Sequence, residues 1–147
     1  MSSKPINEIE NEIIEEFSFF PDWQDKYEYI IELGKKLKDF PEDKRDDEHK
    51  VKGCQSSVWL TANRNDGGII FKADSDSTIV KGLIALLLRV LSGQSADDIV
   101  NSKLEFIDKI GLKQHIAQTR ANGLASMIKQ LKMYALAFKL QEQNQVN

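Results

Sequence analysis

The sequence is short of the residues that hold metals and disulfides. Its 147 residues include one cysteine, Cys54, and two histidines, His49 and His115. A single cysteine cannot form a disulfide within the chain, which fits a reducing compartment such as the cytoplasm. Structural zinc takes four Cys or His ligands and an iron–sulfur cluster takes about four thiolates. We therefore expect this chain to hold no metal and no cofactor of its own, and no glycine-rich loop matches a nucleotide-binding pattern.

An excess of positive charge and a long apolar run are also missing. The 20 basic and 23 acidic residues give a net charge of −3, which lacks the electrostatic footprint of a nucleic-acid-binding protein. The longest apolar run, Leu83 to Leu88, is far shorter than the roughly 20 residues of a membrane span. No basic segment precedes an apolar stretch near the N-terminus, as a signal peptide would require. We expect a cytoplasmic protein that contacts neither nucleic acid nor membrane.

The length predicts one domain covering residues 1–147, with a polar, frayed tail from Gln141 to Asn147. Apolar residues at three- and four-residue spacing predict a helix after Pro5, a second from Trp23 to about Asp39, and a last helix from about Thr119. Asp22 is suited to cap the second helix. Gly34 lies inside that helix, which indicates the close approach of another element.

Strands are predicted in the middle of the chain. Val58, Leu60 and Ala62 alternate with more polar residues, and the Asn-Asp-Gly-Gly segment 65–68 is a hairpin signal. Together with the segment entering at Val51, this predicts a small antiparallel three-stranded sheet. A helix from Thr78 to Leu91 is apolar nearly all round and should lie buried on that sheet. Helices packed against an antiparallel sheet make the fold class α+β.

The only cysteine lies in a local context that suits a displayed thiol. Gly53 precedes Cys54 and allows a sharp turn, while Gln55 and Ser56 leave the sulfur sterically open. The alternative is inert packing, because a free cysteine is among the residues most often buried. The residues alone leave both interpretations open.

Among thiol reactions, exchange of sulfur fits these residues best. Nucleophilic hydrolysis needs a base beside the thiol, and neither His49 nor His115 is placed convincingly by the sequence. Attack of a thiolate on a disulfide or persulfide needs no internal base. Lys50 and Lys52 would modestly favour the thiolate. A lone cysteine without a resolving partner suits a carrier of one sulfur atom.

Four segments can be compared with known families. In chain order they are Trp23 to Gly34, then Gly53-Cys54-Gln55-Ser56 with Val58-Trp59, then Asp74 to Gly82, and His115 to Leu124 with Arg120. In this order and spacing they resemble the SufE family, the sulfur acceptors of iron–sulfur cluster assembly. The resemblance covers most of the chain. It implies a SufE/NifU-like α+β fold, shared with iron–sulfur scaffold proteins, which agrees with the pattern above.

The resemblance implies a function as well. Cys54 would accept persulfide sulfur from a SufS-type cysteine desulfurase, stimulate that enzyme and pass the sulfur to an iron–sulfur scaffold complex. The pyridoxal phosphate belongs to the desulfurase, so this chain would be a carrier and activator with no cofactor, not an enzyme. Gly53, Gln55, Ser56, Asp76 and Arg120 match positions that support the cysteine loop or partner docking. A helix cap would explain Asp76 equally well, and a surface charge in the first turn of a helix would explain Arg120.

Three other functions stay open on the residues alone. An iron–sulfur scaffold shares the fold but needs more ligands than Cys54. A thiol hydrolase would need one of the two histidines as base. A plain interaction protein would carry the cysteine as packing. We also expect the Cys54 turn to fold back against the sheet at rest, because a persulfide is easily oxidised, and to swing out on docking.

Overall fold

A computed structural model describes residues 4–146 of the chain. The helices are α1 (Ile6–Ser18), α2 (Trp23–Lys35), α3 (Thr78–Leu91), α4 (Ala96–Asn101), α5 (Phe106–Lys109) and α6 (Gln118–Val146), the strands are β1 (Val58–Asn65) and β2 (Gly68–Ser75), and short 3-10 turns lie at Glu42–Lys44 and Leu112–Gln114. The mixed helix and sheet class is as predicted. Over residues 4–146, no helix combines the length and the apolar character that crossing a membrane requires.

The sheet has two strands, so the prediction of three was wrong. Strands β1 and β2 pair antiparallel around the Asp66-Gly67 turn, with Leu60 opposite Ala73. The segment before the cysteine contributes only an isolated bridge between Lys50 and Trp59. The chain then turns away at Gly53, whose φ of +92° is a conformation that favours glycine. The stretch beside β1 is therefore too short to continue as a strand.

Helix α2 begins as predicted and ends earlier than predicted. The Asp22 side chain accepts a hydrogen bond from the Asp25 N–H at 2.9 Å, which caps the first turn. The helix ends at Lys35 although its apolar spacing continues to Leu37. The Leu37 N–H donates to the carbonyl three residues back, at Gly34, so the last turn tightens before the chain extends toward Pro41.

Helix α3 is the centre of the core and has the bounds predicted for it. Ser77 caps it by accepting from the Val80 N–H, and most of its residues are buried. It packs against α2 on one side and β2 on the other. Gly34 of α2 faces Gly82 of α3 so closely that a Cβ on Gly34 would lie 2.7 Å from the Gly82 nitrogen. The close approach predicted from Gly34 is confirmed.

Helix α6 packs against α4 and α3 through buried Leu124, Met127, Leu131 and Ala135. It begins one residue before the predicted start at Thr119. It continues through the polar segment from Gln141, where we expected a frayed tail, as far as Val146. Asn147, the last residue of that predicted tail, lies outside the described residues.

A charged cluster joins the first three helices. The Arg89 guanidinium of α3 donates to both carboxylate oxygens of Glu16 on α1, at 2.7 and 2.5 Å. The Tyr29 hydroxyl of α2 donates to the same carboxylate. The hydrogen bond from Arg89 holds the pKa of Glu16 below its ordinary value of 4.5, although burial opposes the shift.

This cluster predicts a pH-dependent share of the stability. Because the pKa of Glu16 is lower in the folded state, its ionised carboxylate stabilises the fold fully above the unfolded pKa, near 4.5. This contribution is lost as the pH falls through the folded-state pKa. We expect Glu16→Gln to cost about 1 kcal/mol at neutral pH, a modest value because the pair is partly exposed. The variant should also lose less stability in acid. Urea unfolding from neutral pH to about pH 3 measures both effects, and the exposed neighbour variant Glu15→Gln should behave as wild type. An equal acid slope in Glu16→Gln would contradict the assignment.

Candidate functional site

Cys54 lies on a loop, residues 52–57, that is closed at its base by the sheet. The Val51 N–H donates to the Val58 carbonyl at 2.8 Å, which brings the two ends of the loop together. Ser57, the last loop residue, donates its N–H to the Asp76 carboxylate at 3.0 Å, and its carbonyl accepts from the Ser75 hydroxyl at 2.7 Å. Asp76 thus holds the cysteine loop, while Ser77 caps α3. Asp76 therefore does not cap α3, and the helix-cap explanation was wrong.

The tip of the loop packs against α6. We predicted that the Cys54 turn folds back against the sheet, and this was wrong about the element that covers it. The Cys54 thiol donates to the Gly123 carbonyl at 3.5 Å. Gly53 fits directly over α6, since a Cβ on this residue would lie 2.4 Å from Ser126 Oγ. Gly123 presents a bare face, where a Cβ would lie 3.5 Å from the Cys54 sulfur. Gly53 therefore lets the loop lie close to the helix, whereas a Cβ at Gly123 would make only an ordinary contact with the sulfur.

Cys54 opens into a small pocket between the loop, α3 and the start of α6. The pocket has a volume of about 240 Å³. The loop lines it with Cys54, Gln55 and Ser56, α3 with Val80, and the α6 region with Ala117, Thr119, Arg120, Gly123 and Met127. The structure therefore brings together Cys54, Gln55, Ser56 and Arg120, with Gly53 at the loop tip and Asp76 at the loop base.

Apart from Arg120, sequence reasoning missed the α6 side of this pocket. Gly123 lies 69 residues from Cys54 along the chain, so no local pattern links them. The one available signal was a glycine early in a long helix, which costs roughly 1 kcal/mol and asks for a packing reason. Val80 and Met127 read as ordinary core positions in the sequence.

The electrostatics of the pocket keep the thiol neutral at rest. Burial raises the pKa of the Cys54 thiol above its ordinary value. The expectation that Lys50 and Lys52 favour the thiolate was wrong, since neither offsets the burial. At neutral pH the resting thiolate fraction is therefore lower than that of a free cysteine. The Arg120 side chain is exposed at the pocket and makes no salt bridge to any residue in 4–146.

Neither histidine is placed to act as a base for Cys54. His49 lies beside Asp46, with 2.7 Å between its Nδ1 and the carboxylate. His115 has its Nδ1 2.8 Å from the Gly111 carbonyl and stacks on Trp23 at 4.2 Å between ring centroids. Neither lines the Cys54 pocket. In the part of the chain that the structure describes, no group of three or more His, Cys, Asp or Glu side chains is arranged to hold a metal ion.

The hold of Asp76 on the loop predicts a change in thiol reactivity. Asp76→Ala leaves the Ser57 N–H without its acceptor, so the loop should open more often. Loss of one such bond, about 1 kcal/mol, corresponds to roughly fivefold faster labelling of Cys54 by a disulfide reagent. Asp43→Ala, at an exposed acid outside the loop, is the matched control and should label at the wild-type rate. Unchanged labelling in Asp76→Ala at unchanged overall stability would contradict the role of Asp76.

Comparisons with known proteins place the chain in a family. The family model SufE, described as an Fe-S metabolism associated domain, matches residues 11–135. An uncharacterised SufE-like protein of Rhizobium meliloti (strain 1021) is 44% identical over 130 residues, covering 85% of this chain and 93% of the relative. One from Synechocystis sp. is 38% identical over 128 residues, covering 87% and 80%.

A solved structure supports the fold alone. The solution structure of a hypothetical protein from Thermus thermophilus superposes with a TM-score of 0.73 at 19% identity, covering 88% of this chain and 94% of that one. The family match and the relatives together carry the assignment made from the four segments of sequence. The chain belongs to the SufE family of domains associated with Fe-S metabolism.

Proposed function

We propose that this chain is a sulfur acceptor for a SufS-type cysteine desulfurase in the cytoplasm, with Cys54 as the persulfide-carrying residue. The position of Cys54 is the observation that carries the proposal. Its thiol lies on a loop that is held by few contacts, beside a pocket of about 240 Å³. The pocket has room for an added sulfur atom, and Cys54, the single cysteine of the chain, lines it. Family membership supports the link to Fe-S metabolism.

The proposed step is a transfer of one sulfur atom between two thiols. The Cys54 thiolate attacks the outer sulfur of the desulfurase persulfide and forms a new sulfur–sulfur bond. The bond between that sulfur and the desulfurase cysteine breaks, and the desulfurase cysteine leaves as a thiolate that takes up a proton. No electrons are gained or lost overall. Removing the product frees the desulfurase for another turnover, which is how the chain would stimulate it.

The resting state of the loop supports a requirement for docking. A half-buried thiol with a raised pKa is a poor nucleophile at neutral pH, because little of it is ionised. Swinging the loop away from Gly123 and Ser126 would return the thiol to water and lower its pKa. Gly53, Gln55 and Ser56 would move with the loop, and Arg120 would contact the desulfurase.

The carrier needs no cofactor of its own, since the pyridoxal phosphate is on the desulfurase, and it would hand the sulfur on to an iron–sulfur scaffold complex.

Intact mass measurement tests the proposal. After incubation with the desulfurase and L-cysteine, we expect the chain to gain the mass of one sulfur atom, and a reductant should reverse the gain. No gain would overturn the carrier function. Bound iron after anaerobic reconstitution would point to a scaffold instead, and turnover of an ester or amide without desulfurase would point to a hydrolase.

A further inference from the structure

The segment that leads into α6, residues 113–120, forms one wall of the Cys54 pocket and is held by few contacts. Three of its residues line the pocket: Ala117, Thr119 and Arg120. Apart from Ile116, its residues are exposed. Within residues 4–146, no hydrogen bond or salt bridge joins this segment to α2, α3 or the cysteine loop. Its position beside Cys54 therefore depends on packing.

The contact that ties the segment to α2 is the ring of His115. The imidazole stacks on the Trp23 indole, with 4.2 Å between the ring centroids and 11° between the ring planes. Its Nδ1 lies 2.8 Å from the Gly111 carbonyl oxygen, which fixes the direction in which the ring points. Ile116 adds an apolar contact with the core. His115 therefore sets both the distance and the orientation of the segment relative to α2.

Trp23 is a firm base for this stack because it is itself held in place. It packs against the core at the start of α2. The Tyr27 ring lies 5.6 Å from it, and Lys26 Nζ lies 4.9 Å from the indole centroid. Gly111 occupies the corner between the two stacked rings, where a Cβ would lie 3.8 Å from both His115 Nδ1 and Trp23 Cζ2. The exposed imidazole thus has a defined place in the structure.

We propose that His115 is a positioning residue for sulfur transfer, which fixes the Arg120 wall of the Cys54 pocket by stacking on Trp23. The proposal rests on the sulfur-acceptor function, in which Arg120 contacts the desulfurase. A wall that is already in place lets the desulfurase dock without first ordering this stretch of chain, so less of the binding free energy is lost. His115 does not line the pocket, so it acts on docking and leaves the exchange of sulfur at Cys54 unchanged.

Stimulation of the desulfurase by variants of His115 tests the proposal. We expect His115→Ala to raise the concentration of this chain that gives half-maximal stimulation about fivefold, as the loss of a ring stack would. The maximal rate should stay within about twofold of wild type, because only docking is affected. His115→Phe keeps a flat ring on Trp23 and should recover most of the loss. Gln114→Ala, at the exposed neighbour, is the matched control and should behave as wild type.

Two results of this measurement would overturn the proposal. One is a half-maximal concentration that stays at the wild-type value in His115→Ala, whether or not the maximal rate falls. The other is an equal loss in His115→Phe, because the stack would then not be the cause. A wild-type chain that neither gains sulfur nor stimulates the desulfurase would remove the proposed function, and the role of His115 with it.

Limited digestion with trypsin measures the same contact without a desulfurase. Trypsin cuts after Lys113 and Arg120, and both bonds lie at the ends of the segment. In His115→Ala we expect cutting at these two sites to be about fivefold faster than in wild type, since the segment opens more often. Cutting after Lys129, farther along α6, should be unchanged in the same sample, and His115→Phe should resemble wild type. Equal cutting of His115→Ala and wild type would overturn the role of His115 even where sulfur uptake is normal.

Discussion

Replacing Cys54 with serine is expected to abolish sulfur uptake and to return the desulfurase to its unstimulated rate. A serine hydroxyl is not ionised near neutral pH and does not form a stable bond to sulfane sulfur, whereas the thiolate is the nucleophile in sulfur exchange. We expect persulfide on the variant to fall at least about 100-fold below wild type. Intact mass after incubation with desulfurase and L-cysteine measures the uptake, and alanine or sulfide release by the desulfurase measures the stimulation.

Loss of uptake has to be separated from loss of folding. Serine nearly matches cysteine in size, and Cys54 makes only a weak thiol bond to Gly123, so Cys54→Ser should change the free energy of unfolding by less than about 0.5 kcal/mol. The variant should still compete with wild type for the desulfurase, because the rest of the docking surface is intact. A variant that folds normally and still carries sulfur would remove Cys54 from the mechanism.

Moving the thiol tests its position. In the double variant Cys54→Ser/Ser56→Cys the single thiol stays on the same loop, and residue 56 also lines the pocket. It no longer lies against Gly123 at the tip of the loop, so we expect sulfur uptake to stay near the level of Cys54→Ser. Recovery to the wild-type level would show that a thiol elsewhere on this loop suffices. The position of Cys54 against α6 would then not be required for sulfur uptake.

The parts of the fold that could be predicted are those fixed by local residues. Helix α3 is apolar nearly all round and has a serine at its start, so its bounds from Thr78 to Leu91 follow from the sequence. The Asp66-Gly67 turn likewise fixes the hairpin and its register. The prediction of a third strand failed because the segment before Gly53 pairs with β1 over only a short stretch. The chain then turns away at Gly53, which no local pattern of apolar residues indicates.

The candidate site was predictable in its chemistry and not in its surroundings. Gly53 and Cys54 are neighbours in sequence, so a thiol on a turn could be inferred from them alone. The pKa of that thiol could not, because burial by α6 decides it and Lys50 and Lys52 do not. Contacts such as the one between Cys54 and Gly123 join residues far apart in the chain, and their existence depends on the whole fold.

The contact between α2 and α3 offers the largest expected effect on stability. A Cβ on Gly82 would lie 2.2 Å from the Ile30 carbonyl oxygen and 2.5 Å from its Cγ2. Ile30 is fully buried, and its carbonyl belongs to the backbone of α2, so it cannot move aside as a flexible side chain could. Adding one methyl group must push the two helices apart and loosen the core between them.

We therefore expect Gly82→Ala to lower the free energy of unfolding by about 3 kcal/mol, or the melting temperature by about 10 °C. This is opposite to the roughly 1 kcal/mol that helix propensity alone would add for the same change. Gly123→Ala on α6 is the matched control, because there the new Cβ meets its nearest neighbour at an ordinary 3.5 Å and the propensity gain should show as unchanged or increased stability. Thermal and urea unfolding of the two variants decide the matter. If both variants gained stability alike, propensity would govern and the close approach of α2 and α3 through Gly34 and Gly82 would not hold in solution.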